Sequence, residues 1–230
     1  MKRRRRKKKA CLLSEMIEFC EQVRKGKDGK YHSVIPNSDI LTPMTHGNDF
    51  GIFTHLKDGR TVIAISGADD LDDWMDNINA LFIELKKGVS VHKGFYESAM
   101  KFLDQILSFL TGDEKELYIT GHSKGGAIAK LLAYLLARKG VKINCVVYGA
   151  PRVGNRRLKE AINFLPIYLT QVRNWQDPVW KLPLLLMGYK TVGHIKYLRA
   201  KGWYFIPLPG IGIKVHLDYH KNIRRLYESE

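Results

Sequence analysis

Tyr118-Ile119-Thr120-Gly121-His122-Ser123-Lys124-Gly125-Gly126-Ala127 marks a change of pattern: an apolar, β-favouring run (Leu117 to Thr120) gives way to helical spacing (Gly125 to Arg138). Gly-x-Ser-x-Gly lies at the junction. In that context its glycines allow a sharp strand-to-helix turn, which holds Ser123 in a strained, exposed position. A serine hydroxyl alone is a weak nucleophile. It needs a histidine to take its proton, a carboxylate to orient that histidine, and backbone N–H groups to receive an oxyanion.

Outward from this stretch the pattern alternates. Phe50 to Leu56 and Thr61 to Ser66 predict a hairpin turned at Asp58-Gly59. Gly94 to Leu110 predicts a helix and Val141 to Tyr148 a strand. Further strands are expected at Ile167 to Arg173, Tyr189 to Val192, Lys196 to Ala200 and Trp203 to Ile206, with a closing helix around Tyr219 to Tyr227. Upstream, Ser14 is placed to cap a helix carrying Met16, Ile17, Phe19, Cys20 and Val23 and ending near Gly26, and Gly26 to Asn48 is polar and broken by Pro36 and Pro43. Strands alternating with helices predict the α/β class, a mixed sheet flanked by helices.

The acid is sought in a loop at the carboxyl edge of that sheet. Asp177, in Asn174-Trp175-Gln176-Asp177-Pro178-Val179, directly follows a predicted strand. A turn-forming Asp-Pro pair is the competing explanation. A histidine downstream of both would match the Ser, Asp, His chain order of α/β-hydrolases, and His194, His216 and His220 all qualify.

Across roughly residues 50 to 220 the chain resembles the class 3, fungal-type, lipases. The segments that carry the resemblance are the Ser123 turn, Val91-His92-Lys93-Gly94-Phe95-Tyr96, Gly149-Ala150-Pro151-Arg152-Val153-Gly154-Asn155, and Asp177-Pro178-Val179 with Leu182-Pro183. The resemblance implies that Ser123 is the nucleophile, Asp177 the orienting acid and His216, in His216-Leu217-Asp218-Tyr219, the base. It puts the backbone N–H groups of Ala68 and Lys124 in the oxyanion hole. Both positions depart from the family, which usually has Thr or Ser at the first and often Leu at the second. A cation at Lys124 would favour anionic head groups if it reached them; a lysine facing solvent with no role is the simpler expectation. The resemblance also makes residues 69–77 a lid segment, with Leu71, Trp74 and Ile78 on one face; a fixed helix packed on the domain fits the same spacing. The implied activity is cleavage of acyl-lipid carboxylic esters through an acyl-serine, with phospholipase A1 or a general carboxylesterase as alternatives. No cofactor or metal is implied.

Charge supplies the alternative from outside the enzymes. The 230 residues hold 38 Lys and Arg against 23 Asp and Glu, a net charge of +15. Eight of the cations lie between Lys2 and Lys9, and the 30 left exceed the anions by seven. Residues 1–10 are therefore expected to form a flexible basic arm, residues 11–48 a leading helix and loop, and residues 49–230 the lipase-like hydrolase domain. The arm would suit an anionic membrane surface and, less favoured, nucleic acid. A hydrolase-fold binding module working through that arm is the non-enzyme alternative.

With 45% hydrophobic residues, wholesale disorder is excluded. No apolar run approaches the roughly 18 residues of a membrane span. Leu184 to Met187 and Trp203 to Ile206 are expected in the core, with an acyl groove as the alternative. Ala10-Cys11-Leu12-Leu13 is too short for a secretory core, which predicts an intracellular, cytoplasmic protein. Cys11, Cys20 and Cys145 lack disulfide or zinc spacing and are expected as free thiols, Cys145 in a strand.

Overall fold

Short-period alternation in the strands sorts their side chains to two faces, and each face is covered. The computed structural model describes residues 2–27, 38–67, 81–198, 216, 218, 219 and 221–223. Its elements are α1 (Lys2–Lys27), β1 (Ser38–His46), β2 (Asp49–Leu56), β3 (Thr61–Ile65), β4 (Phe82–Glu84), β5 (Ser90–His92), α2 (Lys93–Phe109), β6 (Glu116–His122), α3 (Ser123–Ala137), β7 (Lys142–Tyr148), α4 (Arg156–Phe164), β8 (Ile167–Asn174) and β9 (His194–Leu198).

Seven strands form one sheet in the order β1-β2-β3-β6-β7-β8-β9. The first three are antiparallel, β3, β6, β7, β8 and β9 run parallel, and β4 and β5 form a separate antiparallel pair. Ile63, Ile65, Ile119, Cys145, Val147 and Leu169 pack with α2 and α3 on one face. Their neighbours Val62, Ala64, Val146, Tyr148 and Val172 pack with Leu13, Met16, Ile17, Phe19, Cys20 and Val23 of α1 on the other. Burial on both faces is what near-continuous apolar strands require. Polar ties fix α1 to the sheet: Tyr148 donates from Oη to the Leu13 carbonyl at 2.5 Å, and Glu15 takes a two-pronged ion pair from Arg60.

Several elements differ from expectation. The leading helix starts at Lys2, so Ser14 lies within it instead of capping it, and the basic run forms its amino-terminal part. Arg and Lys are good helix formers, so the helix continues upstream of Ser14 through the basic run. The stretch read as a polar loop contains β1; its Pro43 is tolerated because β1 is an edge strand. Tyr189 to Val192 contributes one bridge, between Lys190 and Gly154, rather than a strand. Sequence periodicity passed over α4, which Asn155 caps by accepting the Leu158 N–H. Trp203 to Ile206 lies outside the described residues.

Leu184 to Met187 is not in the core. Leu185–Met187 is a single 3-10 turn, and all four side chains are exposed.

Candidate active site

The carboxyl ends of the parallel strands gather the chemistry at one edge of the sheet, where ligands of open α/β sheets bind. β6 runs directly into α3 through Ser123, whose φ of 54° is left-handed. For a residue with a Cβ that conformation costs about 1–2 kcal/mol. It survives because the elbow glycines let three backbones meet: a Cβ on Gly125 would sit 2.2 Å from the Ser66 carbonyl oxygen, and one on Gly121 would sit 2.5 Å from Gly125.

Asp177 follows β8 and is fully buried. Its Oδ1 accepts the Val179 N–H at 2.8 Å, and its Oδ2 accepts from Tyr219 Oη at 2.7 Å and from His216 Nδ1 at 3.0 Å. Three donors thus satisfy the buried carboxylate and fix its orientation. With the Nδ1 proton aimed at Asp177, the other ring nitrogen of His216 is left as an acceptor. His216 Nε2 and Ser123 Oγ are both buried, and neither has a hydrogen-bond partner among the described residues. Catalytic hydrogen bonds often tighten only when substrate is present.

Three further residues shape this arrangement, and sequence reasoning gave none of them a role. His122 donates from Nε2 to the His216 carbonyl at 2.8 Å, with its ring centroid 4.4 Å from that of His216. Burial, and next the charge His216 can carry, hold the His122 imidazole well below its ordinary pKa, so it stays neutral. Tyr219, besides bonding Asp177, accepts the Asn174 N–H at 2.8 Å and so ties the histidine segment to the end of β8. Gly149, φ 52°, follows β7, and a Cβ there would sit 2.7 Å from Asp177 Oδ2 and 2.8 Å from His216 Cε1. The signals existed: Tyr219 lies in the same four-residue segment as His216, and Gly149 opens Gly-Ala-Pro-Arg. Neither becomes meaningful until the fold packs them together.

Arg152 anchors the loop after the acid. Its guanidinium donates to the carbonyls of Lys181 and Pro183, and its backbone N–H donates to the Leu182 carbonyl at 2.6 Å.

The other predicted residues fall as follows. The Lys124 side chain is only partly exposed and is paired: its Nζ meets the buried Asp49 at 2.6 Å, whose other oxygen accepts from Ser98 Oγ at 2.7 Å. A buried carboxylate explains the cation better than surface chemistry does. His194 lies exposed in β9 with its ring near Tyr168, away from the Asp177 carboxylate. His220, Ala68, Leu71, Trp74 and Ile78 lie outside the described residues. Gly67, just before Ala68, is against the elbow: a Cβ on it would be 3.2 Å from the His122 carbonyl oxygen and 3.5 Å from Ser123 Cβ. Among the described residues no cluster of His, Cys, Asp and Glu could hold a metal ion.

A mostly parallel sheet entering a helix through a left-handed serine defines the α/β-hydrolase class. The sequence model described as Lipase (class 3) matches residues 62–187, and the chain belongs to that family. The matched span contains Ser123 and Asp177 but stops short of His216.

A secreted mono- and diacylglycerol lipase of Fusarium solani is 29% identical over 180 residues, covering 70% of this chain and 52% of that protein. Phospholipase A1-Igamma1 of Arabidopsis thaliana is 41% identical over 89 residues, covering 35% of this chain and 17% of that protein. The chain thus spans about half the length, or less, of these relatives. Among solved structures, lipase II from Rhizopus niveus superposes with a TM-score of 0.74 at 20% identity, covering 84% of this chain and 82% of that one. Rhizomucor miehei triacylglyceride lipase superposes at 0.73 and 19%, covering 80% and 78%. At such identities the likeness carries the fold.

Proposed function

We propose that the protein is a serine hydrolase that cleaves carboxylic esters of acyl lipids through an acyl-serine intermediate. One observation carries this reading: His216 bonds Asp177 through Nδ1 and keeps Nε2 open and buried, and Ser123, left-handed at the turn from β6 into α3, has a hydroxyl that is also unpartnered among the described residues. In the proposed reaction His216 Nε2 takes the Ser123 proton as Oγ attacks the ester carbonyl, then returns it to the departing alcohol. A water activated by the same nitrogen then cleaves the acyl-serine. Asp177 holds the Nδ1 proton in place and stabilises the imidazolium.

The oxyanion would be met by the backbone N–H of Lys124, the first residue after the nucleophile, and by that of Ala68. The close approach of Gly67 to the elbow supports the second assignment. Neither bond depends on its side chain, which makes the salt bridge of Lys124 to Asp49 compatible with the role. Leu71, Trp74 and Ile78 remain proposed as the inner face of a lid.

For substrate class, similarity to a mono- and diacylglycerol lipase supports neutral glycerides, and the 41% identical segment shared with a phospholipase A1 supports that enzyme as the second reading. Contact of the Lys2–Lys9 run with an anionic membrane, worth about 1 kcal/mol per basic residue, belongs to the same proposal.

The test is hydrolysis of p-nitrophenyl esters, glycerides and phosphatidylcholine by wild type, Ser123→Ala and His216→Ala, with labelling by a fluorophosphonate. Activity and labelling that Ser123→Ala abolishes, and hydrolysis that His216→Ala abolishes, are expected. Equal inactivity of wild type and Ser123→Ala on every ester, with no labelling of folded protein, would favour the binding-module alternative.

A further inference from the structure

Four consecutive apolar side chains, Leu184 to Met187, stand in solvent; Leu186 is 97% exposed and the other three about half. Such a strip is costly on a soluble surface and marks a place of contact. It is also held firmly. Met187 and Gly188 donate their N–H groups to the carbonyls of Leu184 and Leu185, both at 3.1 Å, which closes the 3-10 turn. Arg152 grips its leading end at Pro183. At its trailing end Tyr189 is buried and stacked on Phe82 at 4.2 Å, and Lys190 donates its N–H to the Gly154 carbonyl at 2.8 Å.

The strip continues across the surface. A Cβ on Gly188 would lie 3.5 Å from the Phe82 ring, which brings the partly exposed Leu81 and Phe82 beside the turn. Cations frame it: Lys181 precedes it, Lys190 follows it, and Lys93 holds the Leu81 carbonyl through its N–H at 2.9 Å. Two carboxylates lie nearby, the exposed Glu84 and Glu97, which pairs with Lys93 at 4.0 Å.

We propose that the Leu184–Met187 turn, with Leu81 and Phe82, is a wedge that enters the surface of an anionic phospholipid bilayer while Lys181, Lys190 and Lys93 meet its head groups. Apolar tips flanked by lysines match the two layers of such a surface: acyl chains take the leucines, and long cationic side chains reach back to the phosphates. The wedge begins seven residues after Asp177 along the chain, at the end of the loop that Arg152 anchors. This deepens the acyl-lipid reading, and it names a contact surface apart from the Lys2–Lys9 run.

Full-length Ser123→Ala protein should be sedimented with vesicles of phosphatidylglycerol and phosphatidylcholine in equal parts, and with phosphatidylcholine alone. Binding that is stronger on the mixed vesicles and falls by about tenfold or more in Leu186→Asp is expected, with binding retained in Leu186→Trp. Because the side chain is exposed, both variants should melt with wild type. Leu186→Asp binding within about twofold of its parent would overturn the wedge. So would a dimer of the parent that Leu186→Asp dissociates, since that assigns the strip to a second copy of the chain. Loss of ester hydrolysis would leave this binding assay intact, so failure of the wedge and failure of the hydrolase reading are separable.

Discussion

Gly149→Ala tests whether the His216–Asp177 pair depends on a missing side chain. A Cβ at this position would lie 2.7 Å from Asp177 Oδ2, 2.8 Å from His216 Cε1 and 2.9 Å from His216 Nδ1. Ordinary van der Waals contact begins near 3.4 Å, so the pair must withdraw by about 0.7 Å, and both partners are fully buried. A displacement of about 1 Å at a reacting group can cost on the order of 10²-fold in rate. The left-handed φ adds a backbone cost of about 1–2 kcal/mol, which lowers the melting temperature by roughly 2–8 °C. Gly140→Ala separates the two effects: its φ is 93°, nothing lies within 4 Å of its Cβ, and it is remote from the catalytic edge. Steady-state hydrolysis of a short p-nitrophenyl ester and thermal unfolding of both variants are the assays. Gly149→Ala is expected to lose about 10²-fold in kcat and Gly140→Ala to lose stability only. A folded Gly149→Ala enzyme with kcat within about twofold of wild type would refute the steric argument.

Tyr219→Phe removes a donor from Asp177 and the acceptor of the Asn174 N–H. Destabilisation of about 1–3 kcal/mol in urea unfolding, together with a fall in kcat of about tenfold or more, is expected; loss of stability alone would confine Tyr219 to a structural role. Stability should also depend on pH through His92, whose burial lowers its pKa to about 4 from an ordinary 6.5. Between those values the unfolded chain binds the extra proton, so stability is complete above about pH 6.5 and is lost as pH falls, at up to about 1.4 kcal/mol per pH unit. His122, shifted in the same direction, adds to that slope. His92→Asn keeps an acceptor for the Phe95 N–H, and urea midpoints taken across this window should show a shallower slope; an unchanged slope would place the proton uptake elsewhere.

Much of the fold was legible because apolar periodicity is local. Val62 and Ala64 face one way and Ile63 and Ile65 the other, as alternation requires, and the helices flanking β6 follow from spacing alone. β1 escaped because Pro43 and its polar neighbours look like a loop until the strand is known to lie at an edge. Leu184 to Met187 was misjudged for a related reason: an apolar run says that water is unfavourable, not which surface will exclude it. Lys124 shows the same limit, since its partner Asp49 lies 75 residues away.

The elbow was determined by the sequence itself, because the glycines that permit a left-handed serine must lie within two residues of it, as Gly121 and Gly125 do. The order of strands and helices was local in the same sense. Tertiary structure decided the rest: which histidine meets Asp177, what surrounds that carboxylate, and why Gly149 must lack a side chain. These contacts join residues far apart in the chain. Hydrogen bonds and steric exclusion act over a few ångströms in space, and only the folded sheet brings the ends of β6, β7 and β8 within that range.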